Sequence, residues 1–166
     1  LRLTALKGAM FPDPEADLGE HRFTYSLLPH TGDWRYGTVP AAYSLNNPLI
    51  VHLVQGTAQG ASEADCRSLV HVGAPQIIVE TVKQAEDGEG LIARLYEHER
   101  TRKVFDLQTD FPLAMASRCN LLEEDETRLS ITERKATLRA QPYQIMTLRL
   151  KPANDEPLAS QELAGL

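Results

Sequence analysis

Apolar residues in this chain recur at every second position or run together for five to eight positions, and turn residues cut the runs before a helical period is established. A long amphipathic helix needs apolar side chains at a spacing of about 3.6, whereas alternation presents one face of a strand. The pattern predicts strands at Leu1 to Lys7, His21 to Leu28, Leu49 to Gln55, Cys66 to Val72, Gln76 to Gln84, Leu91 to Glu97, Lys103 to Leu107, Ala114 to Leu122, Arg128 to Ile131, Ala136 to Ala140 and Tyr143 to Leu150. Pro12-Asp13-Pro14, Asn46-Asn47-Pro48, Gly73-Ala74-Pro75, Asp87-Gly88 and Gln141-Pro142 separate them with turn chemistry. Many short strands at such spacing imply an all-β, antiparallel β-sandwich. One stretch differs. Val39, Ala41, Ala42 and Leu45 stand at roughly helical spacing around Pro40, which predicts a short helix or loop near residues 34–46.

A length of 166 residues suits one hydrophobic core. The expectation is a β-sandwich over residues 1–151, incomplete at its N-terminus, and a disordered tail over 152–166. Leu1-Arg2-Leu3-Thr4-Ala5-Leu6 reads as the middle of a strand, with neither an initiator Met nor a signal peptide's pattern, so the chain is expected to be a piece of a longer protein.

The segment from Val79 to Tyr96 is the clearest hairpin, turning at Glu86-Asp87-Gly88-Glu89. A two-residue loop at Asp87-Gly88 sets Glu80 opposite Leu95 and Arg94 opposite Thr81. A three-residue loop ending at Glu89 sets Glu80 opposite Tyr96 and diagonal to Arg94, within reach of a charge-assisted bond. The sequence leaves both registers open.

A net charge of −6, with Lys and Arg scattered, provides no basic stripe for nucleic acid or an anionic membrane surface. The longest apolar run, Leu49 to Val54, is far shorter than the roughly 20 residues of a membrane-spanning helix. Cys66 and Cys119 lie far apart with no C-x-x-C spacing. They read as buried thiols, in keeping with a reducing, cytoplasmic setting, although a disulfide between them stays open.

Catalytic motifs are missing. The five histidines, His21, His30, His52, His71 and His98, form no close metal-ligand pattern. Asp13, Glu15 and Asp17 resemble the start of a calcium loop, but Gly19 comes one position late and Thr24 stands where the bidentate Glu belongs. Two facing carboxylates could run glycoside cleavage, and Glu80, Asp87, Glu97, Glu123, Glu124 and Asp125 are candidates, though solvated edges and turns account for all of them. There is no G-x-S-x-G elbow and no phosphate-cradling loop. The most distinctive stretch runs from His21 to Trp34. Phe23, Tyr25 and Leu27 share a strand face with His21, which reads first as a core-facing strand. The sharper reading is a sugar platform in which Trp34 and Tyr36 offer aromatic faces beside Asp33, with His30 nearby.

At these residues the chain resembles a known family. Pro12 to His30 followed by Gly32-Asp33-Trp34, then Leu45-Asn46-Asn47-Pro48-Leu49, Val82 to Glu97 and Pro142 to Leu150, are similar in order and sequence to the C-terminal region of glycoside hydrolase family 38 α-mannosidases. The last segment more often reads P-F-E-I-K-T in that family, so Gln144 and Met146 stand here for a Glu and a Lys. The resemblance implies a retaining, exo-acting, zinc-dependent enzyme on α-mannosides, whose zinc ligands and nucleophilic Asp lie in an N-terminal α/β domain followed by a helical bundle. This segment would be a β module supporting those domains of the same polypeptide. It contains no position matching the zinc ligands or the nucleophile, so no cofactor and no catalytic residue is expected within it. His30, Asp33 and Trp34 are the residues that could reach substrate. Two other readings are an autonomous carbohydrate-binding module built on Trp34, Tyr36 and Asp33, and a domain whose role is to form a homo-oligomer.

Overall fold

The computed structural model of the chain describes residues 2–35, 37–51 and 68–153. Two compact units divide it, Leu1–Ile50 and Val51–Leu166.

In the first unit the regular element is one helix, α1, Thr38–Asn46. Gly37 precedes it at a φ of 95°, a left-handed conformation that glycine adopts at no steric cost. Pro40 falls in the first helical turn, where a backbone N–H has no intrahelical acceptor and its loss costs nothing. The Asn46 and Asn47 amides close the other end on Ala42 O and Tyr43 O. The strands read at Leu1 to Lys7 and His21 to Leu28 are not formed among the described residues, and Leu49 to Val51 carries none either. Phe23, Tyr25 and Leu27 are 53%, 77% and 75% exposed, so the core-facing reading is overturned. Alternation supplies a strand with a face, but the backbone N–H and C=O groups still need a neighbouring strand to pair with. His21 instead stacks on Phe23 and bonds to Asp17 O. The remainder of the strand read at Leu49 to Gln55, the first part of Cys66 to Val72, and the tail beyond residue 153 lie outside the described residues.

The second unit is an antiparallel β-sandwich. Its strands are β1 (Val70–Val72), β2 (Ile77–Gln84), β3 (Leu91–Glu97), β4 (Lys103–Thr109), β5 (Leu113–Cys119), β6 (Asp125–Arg128), β7 (Ile131–Thr132), β8 (Lys135–Ala140) and β9 (Ile145–Pro152). One sheet runs in the order β1-β4-β8-β7 and the other β2-β3-β9-β5-β6. The strand read at Arg128 to Ile131 straddles the turn between β6 and β7 instead of forming one element. Between the sheets, Phe105, Leu107, Ala136, Leu138 and Ala140 from the first pack against Leu91, Ala93, Leu95, Ala116, Met146, Leu148 and Leu150 from the second. β4 and β8 alternate buried and exposed as the sequence pattern requires. β3 and β9 do not, because residues on their outer face are buried as well: Ile92 is 0% exposed, Thr147 4% and Arg149 5%. Leu148 has no exposed surface at the centre of β9. Leu148→Ala should destabilise the chain by about 2–5 kcal/mol, read as a lower midpoint in urea denaturation.

Both registers considered for the β2–β3 hairpin need amendment. Thr81 pairs with Arg94, as an even-numbered loop requires, but Val79 rather than Glu80 pairs with Leu95, so Glu80 is a bulge residue. The reversal is longer than two residues: Ala85 N–H bonds to Gly90 O at 3.0 Å, and Gly88 N–H to Ala85 O at 2.9 Å.

Candidate functional site

The turn at His30 to Trp34 sits just before α1, and its polar groups are already engaged. Asp33 receives Arg35 Nη2 at 2.7 Å, Arg35 Nε at 3.1 Å and the Arg35 backbone N–H at 2.9 Å. The hydrogen bonds from the Arg35 side chain, then from its backbone, hold the Asp33 carboxyl below the ordinary Asp value. His30 contacts Thr31 O through Nδ1 at 3.2 Å and Thr38 Oγ1 through Nε2 at 3.3 Å. Trp34 is 41% exposed beside them. His30, Asp33 and Trp34 are thus neighbours in a braced turn, while Tyr36 lies outside the described residues. Among the described residues no group of three His, Cys, Asp or Glu side chains is placed to hold a metal ion.

The polar chemistry of the sandwich gathers at two places on the five-stranded sheet, the end of β3 and the outer face around β9, where Glu97 and Glu123 depart from the solvated-edge reading. Glu97 is 1% exposed at the end of β3 and Glu123 5% in the β5–β6 connection. Glu97 Oε1 accepts from the backbone of Glu99 and Thr101 and from Thr101 Oγ1, and Oε2 from the backbone of Arg100 and Tyr143, all between 2.8 and 3.0 Å. Arg100 and Tyr143 both have positive φ, 62° and 57°, a conformation unfavourable for side-chain-bearing residues. The carboxylate therefore holds two strained turns together. Burial pushes the Glu97 carboxyl up, but the hydrogen bonds from Tyr143, Thr101 and Glu99 outweigh it and leave the group below the ordinary Glu value.

A second node surrounds Arg149, the one charged residue in the run Ile145 to Leu150, flanked by Leu148 and Leu150. Its Nη1 donates to Asp87 Oδ1 at 2.7 Å and to Glu89 O at 3.0 Å; Nη2 donates to Glu123 O at 2.7 Å. Among the described residues Nε forms no hydrogen bond but lies at ion-pair distance, 3.4 Å, from Asp125 Oδ1, which accepts from Ser117 Oγ and Cys119 Sγ. Glu123, at a φ of 68°, pairs with Lys83 Nζ at 2.8 Å and accepts the Glu86 N–H at 2.8 Å. The node ties the hairpin tip, the β5–β6 connection and β9 into one unit. Asp87 is held low by the Arg149 hydrogen bond, Glu123 by Lys83 and Asp125 by Ser117. A carboxyl poised to donate a proton near neutral pH has its pKa raised. These are lowered, the direction of ion-pair members. Each has a depressed folded-state value, so the stability they confer is present above the unfolded carboxylate pKa of about 4 and lost as the pH falls through the folded values. Acid titration of the urea midpoint should show that loss, and Arg149→Met should diminish its slope.

The Arg149 node was not foreseen. Its sequence signal was a guanidinium at an outward position in a strand with apolar residues on both sides, and only the β5–β6 connection lying over that face buries it. Met146, which stands where the family more often has Lys, points into the core at 3% exposure, and Gln144 accepts the Gln141 N–H.

Residues 76–148 match the family model described as the glycosyl hydrolases family 38 C-terminal beta sandwich domain. The match starts one residue before β2 and ends within β9 just before Arg149, so it includes Glu97 and the carboxylates that meet Arg149. The chain carries the C-terminal β-sandwich of glycosyl hydrolase family 38. It is similar to alpha-mannosidase 2C1 of Mus musculus, 36% identical over 156 residues, and to alpha-mannosidase 2C1 of Homo sapiens, 35% identical over 156 residues. It is also similar to alpha-mannosidase G of Dictyostelium discoideum, 30% identical over 151 residues. The alignments cover 89–90% of this chain but only 14–15% of those relatives, so the chain spans a small part of the length of the curated proteins it matches.

Proposed function

We propose that this family 38 sandwich supports the catalytic domain of a zinc-dependent, retaining α-mannosidase that removes terminal α-mannosides from glycans or oligosaccharides. The observation that carries the reading is the alignment along nine-tenths of the chain with proteins named as α-mannosidases, of which it makes up about a seventh. The two buried nodes support a structural part in that activity. Glu97 Oε1 and Oε2 and Arg149 Nη1 and Nη2 are engaged by protein groups and fix turns, and rigidity behind a hydrolase site keeps reacting groups in register. In this reading zinc, which activates or orients reacting oxygens when bound, belongs to the preceding α/β domain, and a helical bundle links the two. The proposal includes a reducing, cytoplasmic setting, to which the buried Cys119 thiol bonded to Asp125 is suited.

The isolated chain should hydrolyse no aryl α-mannoside with or without added zinc, while the longer polypeptide containing it should. Turnover by the purified chain that vanishes with a mutation in it would overturn the supporting role. Titration with mannose and mannobiose should show no saturable binding at millimolar sugar. Saturable binding lost on Trp34→Ala would favour a carbohydrate-binding module, and a stable dimer in sedimentation would favour an oligomer-forming domain.

A further inference from the structure

Beside the Glu97 node the outer face of the five-stranded sheet opens into a cavity of about 450 Å³, lined by Glu80, Arg94, Tyr96, His98, Tyr143 and Ile145. Tyr143 is 57% exposed and Ile145 68%, whereas the same face farther along β9 and β3 is buried. Leu121, whose carbonyl accepts Arg94 Nη2 in a long 3.4 Å bond, is 66% exposed.

Two side chains at this cavity, Arg94 and His98, are incompletely satisfied. Among the described residues the partner of Arg94 is the Leu121 carbonyl, its Nε is buried without one, and no carboxylate pairs with the guanidinium. Glu80 is nearby, but its carboxylate accepts from Thr81. His98 is 6% exposed; Nε2 bonds to Pro75 O at 3.0 Å and Nδ1 has no partner. An unneutralised guanidinium among exposed Tyr and Ile side chains has the composition of an interface centre, where Arg and aromatic residues dominate and charged pairs are completed from the other side. Contiguous apolar surface of this kind on a folded domain marks a place where another surface sits.

We infer that this cavity is a socket for an earlier segment of the same polypeptide: an apolar side chain enters between Tyr143 and Ile145, and an Asp or Glu beside it takes the Arg94 guanidinium. The inference rests on the α-mannosidase reading above and names the face through which the sandwich supports the rest of the enzyme. The tethered polypeptide is favoured over a second copy because the matched relatives carry this region as only 15% of their length. A covalently attached surface meets the socket at an effective concentration that a free copy does not reach. A carboxylate is favoured over a neutral acceptor because the guanidinium fork forms its strongest bonds with carboxylate oxygens.

The test uses the complete enzyme polypeptide with a photo-crosslinking phenylalanine analogue placed singly at Tyr143, at Ile145 and, as control, at Val104, which is 56% exposed on the other sheet. Mass spectrometry after irradiation should find Tyr143 and Ile145 joined within one chain to a single preceding segment that contains Asp or Glu, with none from Val104. Arg94→Glu should lower that crosslink yield severalfold, and reversing the identified acid to Lys should restore it. Crosslinks only to a second copy, yields no higher than from Val104, or a joined segment without a carboxylate would each overturn the socket. Turnover of an aryl α-mannoside by the same preparation reports separately on the parent activity: an active enzyme without the crosslink sinks the socket alone, and a crosslink in an inactive polypeptide sinks the α-mannosidase reading alone.

Discussion

Glu97→Gln should be among the most destabilising single-atom exchanges available in this chain, at about 3 kcal/mol or more. The substitution preserves shape and exchanges an acceptor oxygen for an amide NH2. One side-chain oxygen can still serve Glu99, Thr101 N and Thr101 Oγ1, which share Oε1. The NH2 would then face the backbone N–H groups of Arg100 and Tyr143, donor against donor, at a site 1% exposed. Hydrogen bonds to a charged acceptor contribute about 1.5–3 kcal/mol each, and a buried donor left unpaired costs about 1–3 kcal/mol. The two residues released are those held at positive φ, so the turns themselves should relax. Urea denaturation checks the magnitude. Amide hydrogen exchange checks the mechanism, with protection lost first at Arg100 and Tyr143. The wild-type chain should lose the same stabilisation as the pH falls through the depressed Glu97 value, because protonation removes the charge the five donors share. A Glu97→Gln variant as stable as wild type would show that the network is passive.

Gly90→Ala should be comparably severe, and its comparison with Gly88→Ala isolates the reason. Both glycines have positive φ, 91° and 77°, in the reversal between β2 and β3. A Cβ at Gly88 meets nothing within 4 Å, whereas one at Gly90 would lie 2.5 Å from Leu150 O. That atom belongs to the backbone of β9, paired to β3 on one side and β5 on the other, and cannot yield without parting the ladder. Gly88→Ala should therefore cost about 1–2 kcal/mol, the ordinary penalty of the left-handed region. Gly90→Ala adds a backbone collision and should cost about 3 kcal/mol or more, with a lower refolding yield. Equal midpoints for the two variants in guanidinium denaturation would remove the steric account.

The outcome of the carboxylates shows where sequence reasoning stops. Asp87 and Asp125 read as solvated and are exposed, whereas Glu97 and Glu123 read the same way only because nothing local in the chain buries them. Glu97 is buried by the return of residues 99–101 and by Tyr143, 46 positions away. Glu123 is buried through Lys83 and the Glu86 N–H, 37 positions from the latter. The hairpin gives the same lesson at shorter range. Asp87-Gly88 marked the reversal and left two registers open, and the bulge at Glu80 arises where β2 is fitted to a strand that also pairs with β9.

The sequence by itself determined the antiparallel sandwich, the strands β2 to β5, β8 and β9 within a few residues, a short helix or loop around Pro40 and the family resemblance, because period, turn residues and motif order are local properties. It also gave Phe23, Tyr25 and Leu27 a strand's pattern without giving them a partner. The tertiary structure alone decided that this stretch is exposed coil, that Glu97 and Arg149 are buried at the centres of two polar networks, and that an incompletely paired Arg94 lies beside the first. Burial, pairing and charge neutralisation depend on which distant residues arrive at the same place, and only the folded chain brings them together.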